Sequence, residues 1–138
     1  MASEAGQAFQ AYMESKDMTV RFLDDDEQVA RTGFNLDNTT IEVLLFFGDD
    51  DKDVHFEGRD FVKIPADKRD MVYKLCNQCN SDYRWVKFVW KEDSECVAVQ
   101  ADAVIEPSSC AQECFEILMR ICGIVEEAYP MFMKAIWA

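Results

Sequence analysis

The chain has 138 residues, 49% of them hydrophobic, with 27 acidic residues against 14 basic ones and a formal charge of −13. That apolar share excludes a disordered acidic tail, and the length suits one domain spanning residues 1–138, since compact domains most often run to about 100–150 residues. The charge speaks against nucleic acid, whose binding depends on Lys and Arg displacing counterions from phosphates, and against an anionic membrane surface; it favours solubility and a basic partner.

In chain order, Ser3 to Glu14 reads as a short helix. Ser3 is its N-cap, and Ala5, Phe9, Tyr12 and Met13 fall on one stripe. Thr19–Leu23, Gln28–Leu36 and Thr39–Phe47 read as strands, the last being the strongest because it is rich in β-branched and aromatic residues. Val54 to Ile64 continues the strand pattern, with Gly58 as a bulge or bend and Pro65 as its stop. Asp67–Cys79 reads as a helix with Val72, Leu75, Cys76 and Cys79 on its buried face. A hairpin follows, with Trp85–Trp90 and Glu95–Ile105 as its strands. The final helix starts at Ser109, where Ser109-x-x-Gln112 fits a capping box, and Pro130 is expected to break it after Ala128. The order α-β-β-β(-β)-α-β-β-α, with strands in runs, predicts an α+β fold whose antiparallel sheet carries helices on one face.

Several stretches of this pattern carry a family resemblance. They are Phe61-Val62-Lys63-Ile64-Pro65 running into Asp67-Lys68-Arg69, and the helix end Leu75-Cys76-Asn77-Gln78-Cys79-Asn80. Trp85-Val86-Lys87-Phe88 with Val97-Ala98-Val99 is the next, followed by the last helix with Ser108-Ser109 at its start and Ala128-Tyr129-Pro130 near its end. In order and spacing, from about Phe9 to Met133, the chain resembles the YbjN family of bacterial proteins, whose fold is similar to that of type III secretion chaperones. The resemblance implies a chaperone-like fold and a dimeric interaction or regulatory protein. It brings no catalytic residues and no cofactor.

The residues themselves offer little chemistry. Cys76-Asn77-Gln78-Cys79 has redox spacing, but it lies in the last turn of its helix, where the dipole raises a thiol pKa. The alternative is a structural zinc or thiol-regulated site built from Cys76, Cys79, Cys110 and Cys114, all of which also fit core stripes. Asp49, Asp51 and Asp53 match the first ligands of a calcium loop, but Val54 stands where that loop needs Gly and Asp60 where it needs Glu. A solvated hairpin turn is the simpler reading. His55 is the only histidine, and on its strand it points opposite to Val54 and Phe56. No nucleophile elbow or phosphate-binding loop is present. The expectation is a non-enzymatic protein without a cofactor.

Leu44 and Phe46 share the strand face opposite Val43, Leu45 and Phe47, and Trp85 and Trp90 fall on opposite faces of one strand. Apolar residues on both sides of a sheet covered on one side predict an exposed apolar surface. Leu44, Phe46, Trp85 and Trp90 are therefore the candidate contacts for a homodimer and a protein partner. A charge placed at Phe46 or Trp90 is expected to abolish association and leave the fold intact. The N-terminus has no basic, apolar leader pattern, and the longest apolar run, Val43 to Phe47, is far below the about 18 residues of a membrane span. A cytoplasmic protein with mostly reduced cysteines is expected.

Overall fold

The computed structural model describes residues 2–138. The elements are α1 (Glu4–Ser15), β1 (Arg21–Phe22), β2 (Val29–Asn35), β3 (Thr40–Phe47), β4 (Asp53–Lys63), a 3-10 turn (Ala66–Lys68), α2 (Arg69–Asp82), β5 (Lys87–Lys91), β6 (Cys96–Val104) and α3 (Cys110–Ile136). The strands form one six-stranded sheet in the order β1-β2-β3-β4-β6-β5. Every neighbouring pair is antiparallel. The expected α+β arrangement is present.

Strand alternation sets the inner face. Ile41, Val43, Leu45 and Phe47 of β3 share it with Ala30, Thr32 and Phe34 of β2 and with Val54, Phe56 and Gly58 of β4. Phe88 and Trp90 of β5 lie on the same face, opposite Val99 and Val97. The helices bury their apolar stripes here: Phe9 and Met13 from α1, Val72 and Cys79 from α2, and Leu118, Ile121, Val125 and Phe132 from α3 join these strand residues in one core. Gly58 has a local reason. A Cβ there would stand 2.9 Å from the Ile41 side-chain tip and 3.3 Å from the Val99 carbonyl oxygen. Register with β6 slips between Gly58 and Val62, and Asp60 takes φ 51° inside the slip, a conformation that Asp tolerates better than most residues.

Two helix ends differ from expectation. Ser109 occupies the N-cap position of α3 but makes no capping bond to the backbone; its hydroxyl instead pairs with the Glu113 carboxylate. More consequentially, Pro130 does not end α3, which runs on to Ile136. A helical proline leaves the carbonyl four residues earlier without its N–H, and that carbonyl belongs to Glu126. Asn38, in the β2–β3 turn, donates its side-chain amide to it at 3.2 Å. The Glu126 carboxylate in turn accepts the Asp37 and Asn38 backbone N–H groups at 2.6 and 2.5 Å. The turn thus fills the gap that the proline opens, and Phe132 and Ile136 extend the buried stripe beyond it.

A double-mutant cycle checks this account. Asn38→Ala should cost about 1 kcal/mol in urea unfolding. In the Pro130→Ala background the cost should shrink, because the restored helix N–H takes the Glu126 carbonyl. Equal costs in both backgrounds would dissociate Asn38 from the proline.

Candidate interaction surface

The outer sheet face is built from the alternate strand residues. Arg31 of β2, Leu44 of β3, Glu57 of β4, Gln100 of β6 and Lys87 of β5 form one row across it. Val29, Phe46, His55 and Asp102 form the next. The face is largely polar, and its apolar residues are mostly covered. Leu44 is only 2% exposed. The long side chains of Arg31 and Glu57 flank it across the register, and such chains lay their methylenes over apolar neighbours while keeping their charges wet. Leu44 is therefore a covered residue, contrary to its place among the expected contacts. Phe46 remains half-buried, with its ring 5.9 Å from the His55 ring.

The two tryptophans do not share a strand. Trp90 belongs to β5 on the helix-covered face, where it packs against the core, and its indole N–H donates to Glu92 at 2.5 Å. A charge there would disturb the fold rather than leave it intact, as its packing against the core requires. Trp85 precedes β5, in the connection from α2. Its side of the molecule is wet: the residue is 59% exposed, and the Arg120 guanidinium of α3 lies 5.0 Å from the centre of its ring. Its φ is 77°, a left-handed backbone that is rare for a bulky residue and costs about 1–3 kcal/mol. Tyr83, two residues earlier, lies tilted against Phe88 with ring centres 6.2 Å apart. Its hydroxyl pKa is pushed up to about 12 by burial and by neighbouring Glu127. Both aromatics of the connection are thus held against α3.

His55 is more than an ordinary surface histidine. Its Nδ1 lies 2.7 Å from the Asp102 carboxylate and its Nε2 lies 2.8 Å from that of Glu57. Glu57 also accepts from Gln100 at 3.1 Å and pairs with Lys91 at 3.6 Å. Beside this cluster is a cavity of about 390 Å³ lined by Phe46, Asp53, Val54, His55, Asp102, Ala103 and Val104.

The acidic β3–β4 turn is partly structural. Asp51, at φ 59°, accepts the Ala5 N–H at 3.2 Å and so serves the N-terminus of α1, where Ser3 accepts the Gly6 N–H at 3.0 Å as expected. The cysteines of the four-thiolate alternative are not brought together. Among the described residues, no three His, Cys, Asp or Glu side chains are grouped to hold a metal ion. Cys110 donates instead toward the Ala5 carbonyl at 3.6 Å. Burial pushes Cys76 up to about 12 and Cys79 to about 11, and it raises Cys110 and Cys114 as well. Burial thus favours the protonated thiols, which suits packing rather than nucleophilic chemistry.

The sequence profile of the YbjN family, described as "Putative bacterial sensory transduction regulator", matches residues 6–132. The chain belongs to the YbjN family. No curated protein matches its sequence. Among solved structures, YbjN from E. coli superposes with a TM-score of 0.63 at 12% identity, over 91% of each chain. A chain of the ExsC–ExsE complex does so with a TM-score of 0.57 at 14% identity, over 91% of this chain and 88% of that one. The YbjN-family fold and its likeness to secretion chaperones are therefore as the resemblance implied. Among the described residues, no helix of this YbjN-family chain is long and apolar enough to cross a membrane.

Proposed function

We propose that this YbjN-family chain is a non-catalytic regulatory domain of the cytoplasm, comprising residues 1–138, that forms a homodimer and holds a protein partner. The observation that carries this reading is Trp85 beneath Arg120. Trp and Arg are the side chains most often responsible for interface energy. Here both stand at the surface, with Trp85 held there in a costly backbone conformation. Strain of this kind persists where surrounding structure enforces it and function uses it. The likeness to a chain from a complex of two proteins, ExsC and ExsE, supports the same reading. Phe46 is the second candidate contact, on the outer face. Leu44 and Trp90 contribute from beneath the surface by shaping it.

Trp85→Gly separates binding from folding. Glycine adopts positive φ freely, which recovers about 1–2 kcal/mol. Loss of the cation–π contact costs about 0.5–1 kcal/mol, and the greater freedom of glycine in the unfolded chain a similar amount. Stability should stay within about 1 kcal/mol of the parent, while native mass spectrometry should show a metal-free dimer for the parent and a monomer for the variant. A parent that is monomeric at every concentration would overturn the homodimer, and a Trp85→Gly dimer as tight as the parent would remove Trp85 from the interface.

A further inference from the structure

The two contacts of His55 carry a consequence of their own. An ionised carboxylate can only accept, so two carboxylates against one imidazole require an N–H on both ring nitrogens. The arrangement seen, with Asp102 at 2.7 Å and Glu57 at 2.8 Å, is therefore that of the imidazolium. A neutral ring keeps one N–H, and one carboxylate then faces a lone pair.

The surroundings decide which carboxylate leaves. Glu57 is little exposed and retains Gln100 and Lys91 as partners. Asp102 has a side chain 60% exposed and, among the described residues, only His55 as a partner. The other elements around the ring do not replace it. β3 contributes the Phe46 ring. β4 itself adds Asp53 at the cavity wall, a further negative charge. β5 contributes Lys91, paired with Glu57, and places Lys87 beside Gln100 in the same row. On β2, Arg31 is engaged with Glu42 at 3.7 Å.

We propose that His55 is a proton-operated latch on the outer sheet face. Protonated, it ties β4 to β6 and holds Asp102 at the wall of the cavity beside Phe46; deprotonated, it releases Asp102 and opens that cavity with one more net negative charge around it.

Burial of the ring disfavours its charge, but the bonds and charges of Glu57 and Asp102 outweigh this and raise its pKa above the ordinary 6.5. The sign for stability follows: the contribution is full below the unfolded value and is lost as pH rises through the folded value.

His55 is the only histidine, so its ring can be followed by NMR in the full chain without assignment ambiguity. The expected midpoint lies above 6.5. Glu57→Gln and Asp102→Asn should each lower it, and the amide signals of Ala103 and Val104 should move with the same midpoint in the parent and not in Asp102→Asn. A midpoint at or below 6.5, unmoved by either substitution, would overturn the clamp. A raised midpoint with silent Ala103 and Val104 amides would overturn the release of Asp102.

Discussion

Phe132→Ala should lower the stability of this protein by about 3–5 kcal/mol, more than any surface change discussed above. Phe132 is fully buried. Its ring lies edge-on to Phe61 at 5.4 Å and stacks on Phe88 at 5.8 Å, and Phe61 meets Phe88 at 5.7 Å. Truncation removes a large apolar area, breaks two aromatic pairs and leaves a cavity that strands β4 and β5 cannot collapse into without bending. The residue also lies beyond Pro130, so its burial is what anchors the last turns of α3 to the sheet. Phe132→Leu should cost much less, about 1–2 kcal/mol, because most of the volume is kept. Urea midpoints of the two variants measure the difference. A Phe132→Ala cost no greater than that of Phe132→Leu would mean that the post-proline helix contributes little to the core.

The second large effect is expected at Asn80, near the end of α2. β5 is an edge strand, and the Phe88 N–H and C=O point away from β6. The Asn80 side chain engages both, accepting the N–H at 2.6 Å and donating to the carbonyl at 3.2 Å. One side-chain amide thus stands where a neighbouring strand would be. Asn80→Ala should cost about 1–3 kcal/mol and should also open the edge for pairing between molecules. Unfolding measurements would show the first effect. Light scattering would show the second as species larger than those of the parent that grow with concentration. Asn80→Asp keeps the acceptor and loses the donor, so it should fall between. A variant that loses stability without associating would show that Asn80 anchors α2 but does not guard the edge.

Local sequence determined most of the architecture. Alternation in Thr40–Phe47 puts Ile41, Val43, Leu45 and Phe47 on the helix-covered side, because a strand repeats every two residues. The spacing of Val72, Cys76 and Cys79, and of Cys114, Leu118, Ile121 and Val125, gives each helix one apolar stripe. The same stripes explain why cysteines at metal-like spacing are buried side chains. Trp85 was legible as an unusual aromatic, although the strand pattern put it one element too late.

The remaining features depend on residues far apart along the chain. Pro130 would stop an isolated helix. It does not stop α3, because Asn38, 88 residues away, supplies the missing hydrogen bond. Asp51 reads as one more solvated acid until the fold brings it to Ala5, at a separation of 46. Leu44 reads as exposed because alternation gives its face but not the length of the chains beside it. His55 reads as an isolated histidine, since only the β4–β6 register places Asp102, 47 residues later, against its ring. Period and propensity act over a few residues and fixed which face each side chain takes. Hydrogen bonds and charge pairs act between whatever the sheet and helices bring within about 3 Å, and those neighbours existed only once the chain had folded.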